Sequence, residues 1–289
     1  MAQRIDGVSE RGKIRLRLPR RGAFYLLIIA ICGILVFPYY WMALTSLQVP
    51  SRTYTSPPQF FLLKPAFHNY PDAFVNKPVI TWLMNSLIVA TATMILSVVI
   101  ATFAGYSISR FRYRGRTFVG ILILTSQMFP GTLIVVPYYI LMQKIHLLDT
   151  LQGLTLTHIS FAVPLCVWIL KGFFDSVPRE IEEAALMDGC SHLKVLLRIV
   201  LPVSFPAIIS TALFSFMLSW HEFLFSRTLL NSPSKWTVPA GIASFVGEYQ
   251  TNWNQVMAGA VVLTAPPVIL FLLLNRYLVS GMTSGAVKG

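Results

Sequence analysis

The chain has 289 residues, 55% of them hydrophobic and only 12% charged, with a mean hydropathy of +0.66. So few charges cannot cover a water-soluble surface, which excludes an ordinary soluble domain. The net charge of +12 raises nucleic acid as a partner, but no soluble basic module is left once the apolar runs are set aside, and a positive-inside bias in membrane loops accounts for it better.

Cys32, Cys166 and Cys190 make an odd set with no disulfide framework or metal-ligand spacing, and two of them fall inside apolar runs. No stretch has the phosphate-loop pattern, so ATP chemistry, if any, belongs to a partner.

In chain order, residues 1–22 form a basic tail with Arg4, Arg11, Lys13, Arg15, Arg17, Arg20 and Arg21. The apolar run at 23–47 is too long for a signal-peptide core, and despite the adjacent Arg20 and Arg21 it reads as a retained first span. Residues 48–81 are rich in proline and aromatics and read as an outer loop. The core follows at 82–279. Its second span runs from about Trp82 to Ile108 and ends at Arg110, Arg112, Arg114 and Arg116. Asn85 and Ser86 open that span, either lining a path or capping the helix. A third run, Phe118 to Met142, contains Pro130, Gly131 and Pro137, which bend or interrupt a membrane helix. Lys144, His146 and Asp149 mark a turn before a fourth span, Gly153 to Phe174. A polar insert at 175–202 precedes a fifth span, Val203 to Leu230, an outer loop to about Gln255, a sixth span, Val256 to Val279, and a tail at 280–289.

Six spans put both termini on one side. That side carries 17 of the Lys and Arg residues and the other 6, so the bias places both termini and the insert in the cytoplasm. Within the insert, Pro178 suits a first helical turn, Asp175 and Ser176 are candidate caps, and Glu180, Glu182 and Glu183 suit the positive helix end. Gly189 can end that helix in the left-handed conformation and Ser191 can cap a second. Small Ala184 and Ala185 beside the carboxylates of Glu183 and Asp188 fit a docking surface; the same pattern fits a solvated amphipathic loop.

The stretch EAALMDGCSHLKVLLRIVLP, from Glu183 to Pro202, has the spacing EAA, three residues, G, nine residues, I, one residue, LP. It resembles the signature loop of permease subunits of binding-protein-dependent ABC importers and matches every fixed letter. The resemblance implies an all-α integral membrane fold of six transmembrane helices, with a MetI-like five-helix permease core and a cytoplasmic coupling helix. It implies that Glu183, Ala184, Ala185, Asp188 and Gly189 contact an ATPase subunit, with Ile199, Leu201 and Pro202 bracing the second helix. MAGAVVLTAPPVILFLLLNRYLVSGMTSGAVKG, from Met257, and SWHEFLF, from Ser219, resemble the smaller permease of maltose-type, carbohydrate-importing systems, although His221 stands where that subgroup more often has Asn. The two resemblances cover most of the chain from about Asn85 to Gly289.

By that resemblance the chain is no enzyme itself. Two partner ATPase subunits bind ATP and Mg, a second, non-identical permease completes the channel, and an extracytoplasmic sugar-binding protein docks outside. The location implied is a bacterial or archaeal cytoplasmic membrane, in contact with lipid, and no nucleic acid or metal is expected. Trp220, His221, Glu222 and Phe223, with Asn85, are candidates for the sugar path, since aromatic faces stack on sugar rings and polar groups bond their hydroxyls. An ionisable residue at membrane depth is a functional candidate by default, and Glu222 is either that or a paired structural carboxylate. In the outer loop, Trp236, Gly241, Phe245 and Tyr249 are candidates for contact with the binding protein, or form an aromatic belt at the lipid interface. A zinc-protease reading of His221 and Glu222 fails because position 225 is Phe225. His68, His146, His158 and His192 show no partner at ligand spacing. A non-sugar importer stays open, and so does a secondary transporter, although no internal repeat supports the latter.

Overall fold

The computed structural model describes residues 20–53, 55–62, 64–247 and 251–284, and among these residues every regular element is a helix. Four helices are long and apolar enough to cross a membrane, and two bent helix pairs raise the number to six if each pair counts as one span. The all-helical membrane fold expected from the sequence is therefore the one observed.

Helix α1 (Arg20–Ser46) is exposed from Ala23 to Tyr40, a greasy surface that only lipid or another apolar chain can cover. It packs on α13 (Trp253–Ser284), which in turn packs on α10 (Phe205–His221). The end of α1 is fixed by two asparagines: Asn69 Nδ2 donates to the carbonyls of Ser46 and Gln48, and Asn254 Nδ2 donates to those of Thr45 and Gln48. Asn69 opens the short helix α2 (Asn69–Asn76).

At the centre lie α3 (Val79–Arg110), α6 (Leu151–Ser176) and α10. Their seams are lined by small residues that let backbones approach in the absence of a hydrophobic drive between helices. A Cβ on Gly105 would stand 3.2 Å from backbone atoms of Val167 and Lys171, so glycine there sets the α3–α6 distance. Thr93 and Ser97 of α3 face Thr211, Ser215 and Ser219 of α10 as a buried polar seam, joined by Ser215 Oγ donating to the Thr93 carbonyl and Ser219 Oγ to Thr93 Oγ1.

The third apolar run is two helices, α4 (Arg116–Thr125) and α5 (Gly131–Lys144), joined through a 3₁₀ turn and bent by 101°. Pro130 has no N–H to continue the ladder, and Phe129 before it is extended, as a residue preceding proline prefers. The fourth run reaches two residues further than Phe174, to Ser176. The insert then folds as α7 (Arg179–Met187), α8 (His192–Val195), a π-type turn at Leu196–Val200 and α9 (Leu201–Val203). An 82° bend at Ser204 starts α10. The fifth run does not continue to Leu230 as one helix: α10 stops at His221, and α11 (Leu224–Leu229) is a separate turn-and-a-half. Between it and α13 lie a 3₁₀ turn at Pro233–Lys235 and α12 (Val238–Ala243). α7 and α12 thus mark opposite ends of the bundle.

Candidate functional site

At the α7 end, Val177 is extended and Pro178 precedes the first turn, so the helix restarts on a new axis after α6. Asp175 and Ser176 do not cap it. Asp175 pairs with Lys171 one turn earlier (2.6 Å) and accepts from Ser109 Oγ (2.6 Å), while Ser176 Oγ donates to the Phe173 carbonyl; these bonds keep both residues in the last turn of α6. Glu180 and Glu182 fill the first turn of α7. Its other end closes as a Schellman motif. Gly189 takes φ +82°, its N–H donates to the Leu186 carbonyl, and the Cys190 N–H reaches back to the Ala185 carbonyl. Ser191 then caps α8 by accepting from the Lys194 N–H.

This folding sorts the residues of α7 by face. Glu183, Ala184, Asp188 and Gly189 are exposed, together with Ile181 and Met187, the last 88% exposed. Ala185 and Leu186 are half-buried against the core at the base of α3 and α6. Ile199 and Leu201 are half-buried, with Leu201 packed on that same core, and Pro202 is exposed beside them.

Glu182 is the residue that the spacing motif passes over. It is 5% exposed; Arg110 Nε and Nη2 both reach its Oε1 at 2.6 Å, and Tyr106 Oη donates to its Oε2 at 2.9 Å. A carboxylate three and four residues before half-buried Ala185 and Leu186 lies on the inward face of the helix, and that signal was available in the sequence.

Toward the other end, the gap between α10 and α11 is made by Glu222. Its Oε1 accepts from the Phe225 N–H (2.7 Å) and its Oε2 from the Ser226 N–H (2.9 Å), so the side chain starts a new helix where no proline or glycine breaks the old one. His158, fully buried in α6, places Nε2 3.2 Å from Glu222 Oε2 and Nδ1 2.7 Å from Ser219 Oγ. Scattered in sequence, His158 has a partner in the fold; as an ionisable group in an apolar run it merited the same default attention as Glu222.

Around this node the candidate path residues part company. Trp220 is buried, stacked on Phe216, and its indole N–H donates to the Leu263 carbonyl. Glu222 is half-buried, while His221 and Phe223 are exposed on either side of it. Asn85 bonds to another segment. Its amide donates to the carbonyls of Ser234 and Trp236 and clamps the α12 loop.

That loop is tightly fixed to the start of α3. Trp82 Nε1 donates to the Pro233 carbonyl (2.7 Å), Val238 N–H to Ser86 Oγ (2.8 Å), and Phe245 meets the Trp82 ring edge-on. Gly241 lies against the indole of Trp82 so closely that a Cβ would overlap the ring. Trp236 is half-buried under the Arg227 guanidinium, 4.6 Å from its ring, and its N–H donates to the Leu230 carbonyl. Tyr249 lies outside the described residues. From the neighbouring turn, Asp149 holds the loop by accepting from the N–H groups of Asn231 and Ser232, Ser232 Oγ and Lys235 Nζ. Burial pushes its carboxyl up, but these bonds outweigh burial and bring it to about 2.

Residues 97–284 match the family described as binding-protein-dependent transport system inner membrane component. The Escherichia coli inner membrane ABC transporter permease protein YcjP is 32% identical over 93% of this chain and 97% of its own length. The trehalose/maltose transport system permease protein MalG of Thermococcus litoralis is 36% identical over 89% and 92%. The maltodextrin transport system permease protein MdxG of Bacillus subtilis is 39% identical over 73% and 76%. Among solved structures, a chain of a bacterial ABC transporter for import of the acidic polysaccharide alginate superposes with a TM-score of 0.75 at 21% identity, covering 89% of this chain and 95% of that one.

Proposed function

Because this chain belongs to the binding-protein-dependent transport system inner membrane components, we propose that it forms one half of the membrane pathway of an ATP-driven sugar importer. The sugar class is carried by the relatives, whose names specify trehalose and maltose, maltodextrin, diacetylchitobiose and sulfoquinovosyl glycerol. A second, non-identical permease lines the other half. Two ATPase subunits bind ATP and Mg, and one of them receives α7. A sugar-loaded binding protein docks at the α12 end, and α7 with both termini lies in the cytoplasm, as the 17 to 6 distribution of Lys and Arg supports.

The observation that carries this reading is the form of α7. It is a nine-residue helix whose outward face offers Glu183, Ala184, Met187 and Asp188, closed at Gly189 so that the chain turns straight back to the bundle. Small side chains let a partner surface approach, carboxylates attract its basic groups, and exposed Met187 fits an apolar cleft. ATP binding closes the ATPase pair, the docked helices move together, and the membrane halves rock between inward- and outward-facing states. On the path, His221 and Phe223 offer a polar group and a ring face, with Glu222 and Trp220 held behind them; Asn85, Trp236, Gly241 and Phe245 shape and hold the loop that faces the binding protein.

Copurification tests the proposal. An affinity tag on this chain is expected to bring down a second permease and an ATPase that hydrolyses ATP faster when binding protein and sugar are added. Uptake of maltose or trehalose by this chain alone in liposomes overturns it in favour of a secondary transporter.

A further inference from the structure

We infer that α3 is the connecting rod between the two docking ends of this subunit, and that the Arg110–Glu182 ion pair is the joint by which motion of α7 enters it. The inference rests on the proposed function, since it takes α7 to face an ATPase and the α12 loop to face a binding protein.

Although α6 also runs from the turn at Asp149 to the start of α7, it is α3 that bonds both ends through its own side chains. Its 32 residues run without a proline over about 48 Å at 1.5 Å per residue. At one end Tyr106 and Arg110 both bond Glu182, and Arg110 Nη2 also donates to the Val177 carbonyl just before α7 (2.9 Å). Ser109 accepts from Arg179 Nη2 through its carbonyl and donates through Oγ to Asp175, so the last turn of α3 also grips the residues before and at the start of α7. At the other end Trp82, Asn85 and Ser86 bond the carbonyls of Pro233, Ser234 and Trp236 and the N–H of Val238. Rigid at both attachments, α3 moves the α12 loop whenever α7 moves.

The ion pair is suited to transmit direction where apolar contact is not. Ala185 and Leu186 give α7 a greasy seat, but a cavity of about 120 Å³ lined by Tyr106, Arg110, Phe111 and His192 stays open beside it. Glu182 spans that region with charge-assisted bonds of fixed geometry, and with both side chains under a tenth exposed, neither charge can be released cheaply to water. Tilting α7 without moving α3 would strand a buried charge.

The test uses the intact complex in nanodiscs, measuring ATP hydrolysis with and without binding protein, with maltose, trehalose and maltodextrin as probe sugars. For Glu182→Gln and, at the far end of the rod, Ser86→Ala, ATPase subunits are expected to copurify as with wild type. The ratio of stimulated to unstimulated hydrolysis is expected to fall about tenfold. Exchanging the charges, Arg110→Glu with Glu182→Arg, is expected to recover part of the ratio because it restores the ion pair with its polarity reversed, while wild-type ATPase copurification in Glu182→Gln separates lost transmission from lost structure. Where Glu182→Gln fails to assemble, Ser86→Ala carries the test alone. A wild-type ratio in an assembled Ser86→Ala or Glu182→Gln complex overturns the connecting rod and leaves the importer reading standing. Absence of any ATPase from wild-type preparations overturns both.

Discussion

Glu222 and His158 meet at 3.2 Å although 64 residues separate them in the chain, and the same carboxylate accepts from the Phe225 and Ser226 amides in the first turn of α11. One side chain therefore joins α6 to the break in the fifth run and caps the helix that follows. The break presents His221 and Phe223 outward, which a continuous helix would not do in the same register. Glu222→Ala removes the cap, at about 1 kcal/mol, and leaves amide donors near membrane depth without an acceptor, at roughly 1–3 kcal/mol more. Glu222→Gln keeps an acceptor oxygen. The alanine variant is expected to melt several degrees below the glutamine variant in detergent; equal melting of the two would show that the cap does not hold the break.

Asp149 gives the α12 loop a pH dependence of definite sign. Its carboxyl is held at about 2, below its ordinary value of 3.8, so it binds its proton less readily folded than unfolded. The stabilisation is complete above the ordinary value and is lost as pH falls toward about 2. Asp149→Asn removes it at every pH. The melting-temperature gap between wild type and Asp149→Asn is expected to be constant from pH 7 to 5 and to close as pH drops below about 4. A gap that is unchanged at pH 3 rules out this carboxylate as the source.

Hydropathy located the apolar runs because each is long, and Gly189 and Ser191 marked the turn between α7 and α8 because their local chemistry suffices to end one helix and start another. Nothing local could reveal the pairings. Glu182 finds Arg110 across 72 residues and His158 finds Glu222 across 64, so the sequence shows four polar residues and the fold shows two bonds. Asp175 and Ser176 read as caps for α7 because both are good cap residues, yet Lys171 and Ser109 claim the first and the Phe173 carbonyl the second. The fifth run hides its break for a related reason: the helix is interrupted by a carboxylate binding backbone amides, with no proline or glycine to announce it.

Gly241 tests how rigidly the α12 loop is seated. With a Cβ overlapping the Trp82 ring, Gly241→Ala must displace either the indole, which is bonded to the Pro233 carbonyl, or α12 itself. Overpacking of this kind costs about 1–3 kcal/mol. The variant is expected to insert normally but to expose residues 231–247 to limited proteolysis faster than wild type. Cleavage at the wild-type rate would show that the ring can move aside freely.

Gly189 and Glu183 probe the proposed docking role of α7 from two independent directions. At φ +82° with open space around it, Gly189→Ala meets no clash and suffers only backbone strain, about 1–2 kcal/mol, which unwinds the Schellman closure and re-aims α7. Glu183→Lys breaks no side-chain bond among the described residues, because the carboxylate is exposed and the buried pairing is made by Glu182. Its effect must come through a partner, where a like-charge contact costs several kcal/mol. Both variants are expected to reach the membrane at wild-type abundance by immunoblot. Uptake of labelled maltose or trehalose is expected to fall about tenfold or more in each, and ATPase copurification to weaken most for Glu183→Lys. The two variants separate shape from charge: a loss confined to Gly189→Ala would mean that α7 docks by its geometry alone, and wild-type uptake in both would remove it from coupling.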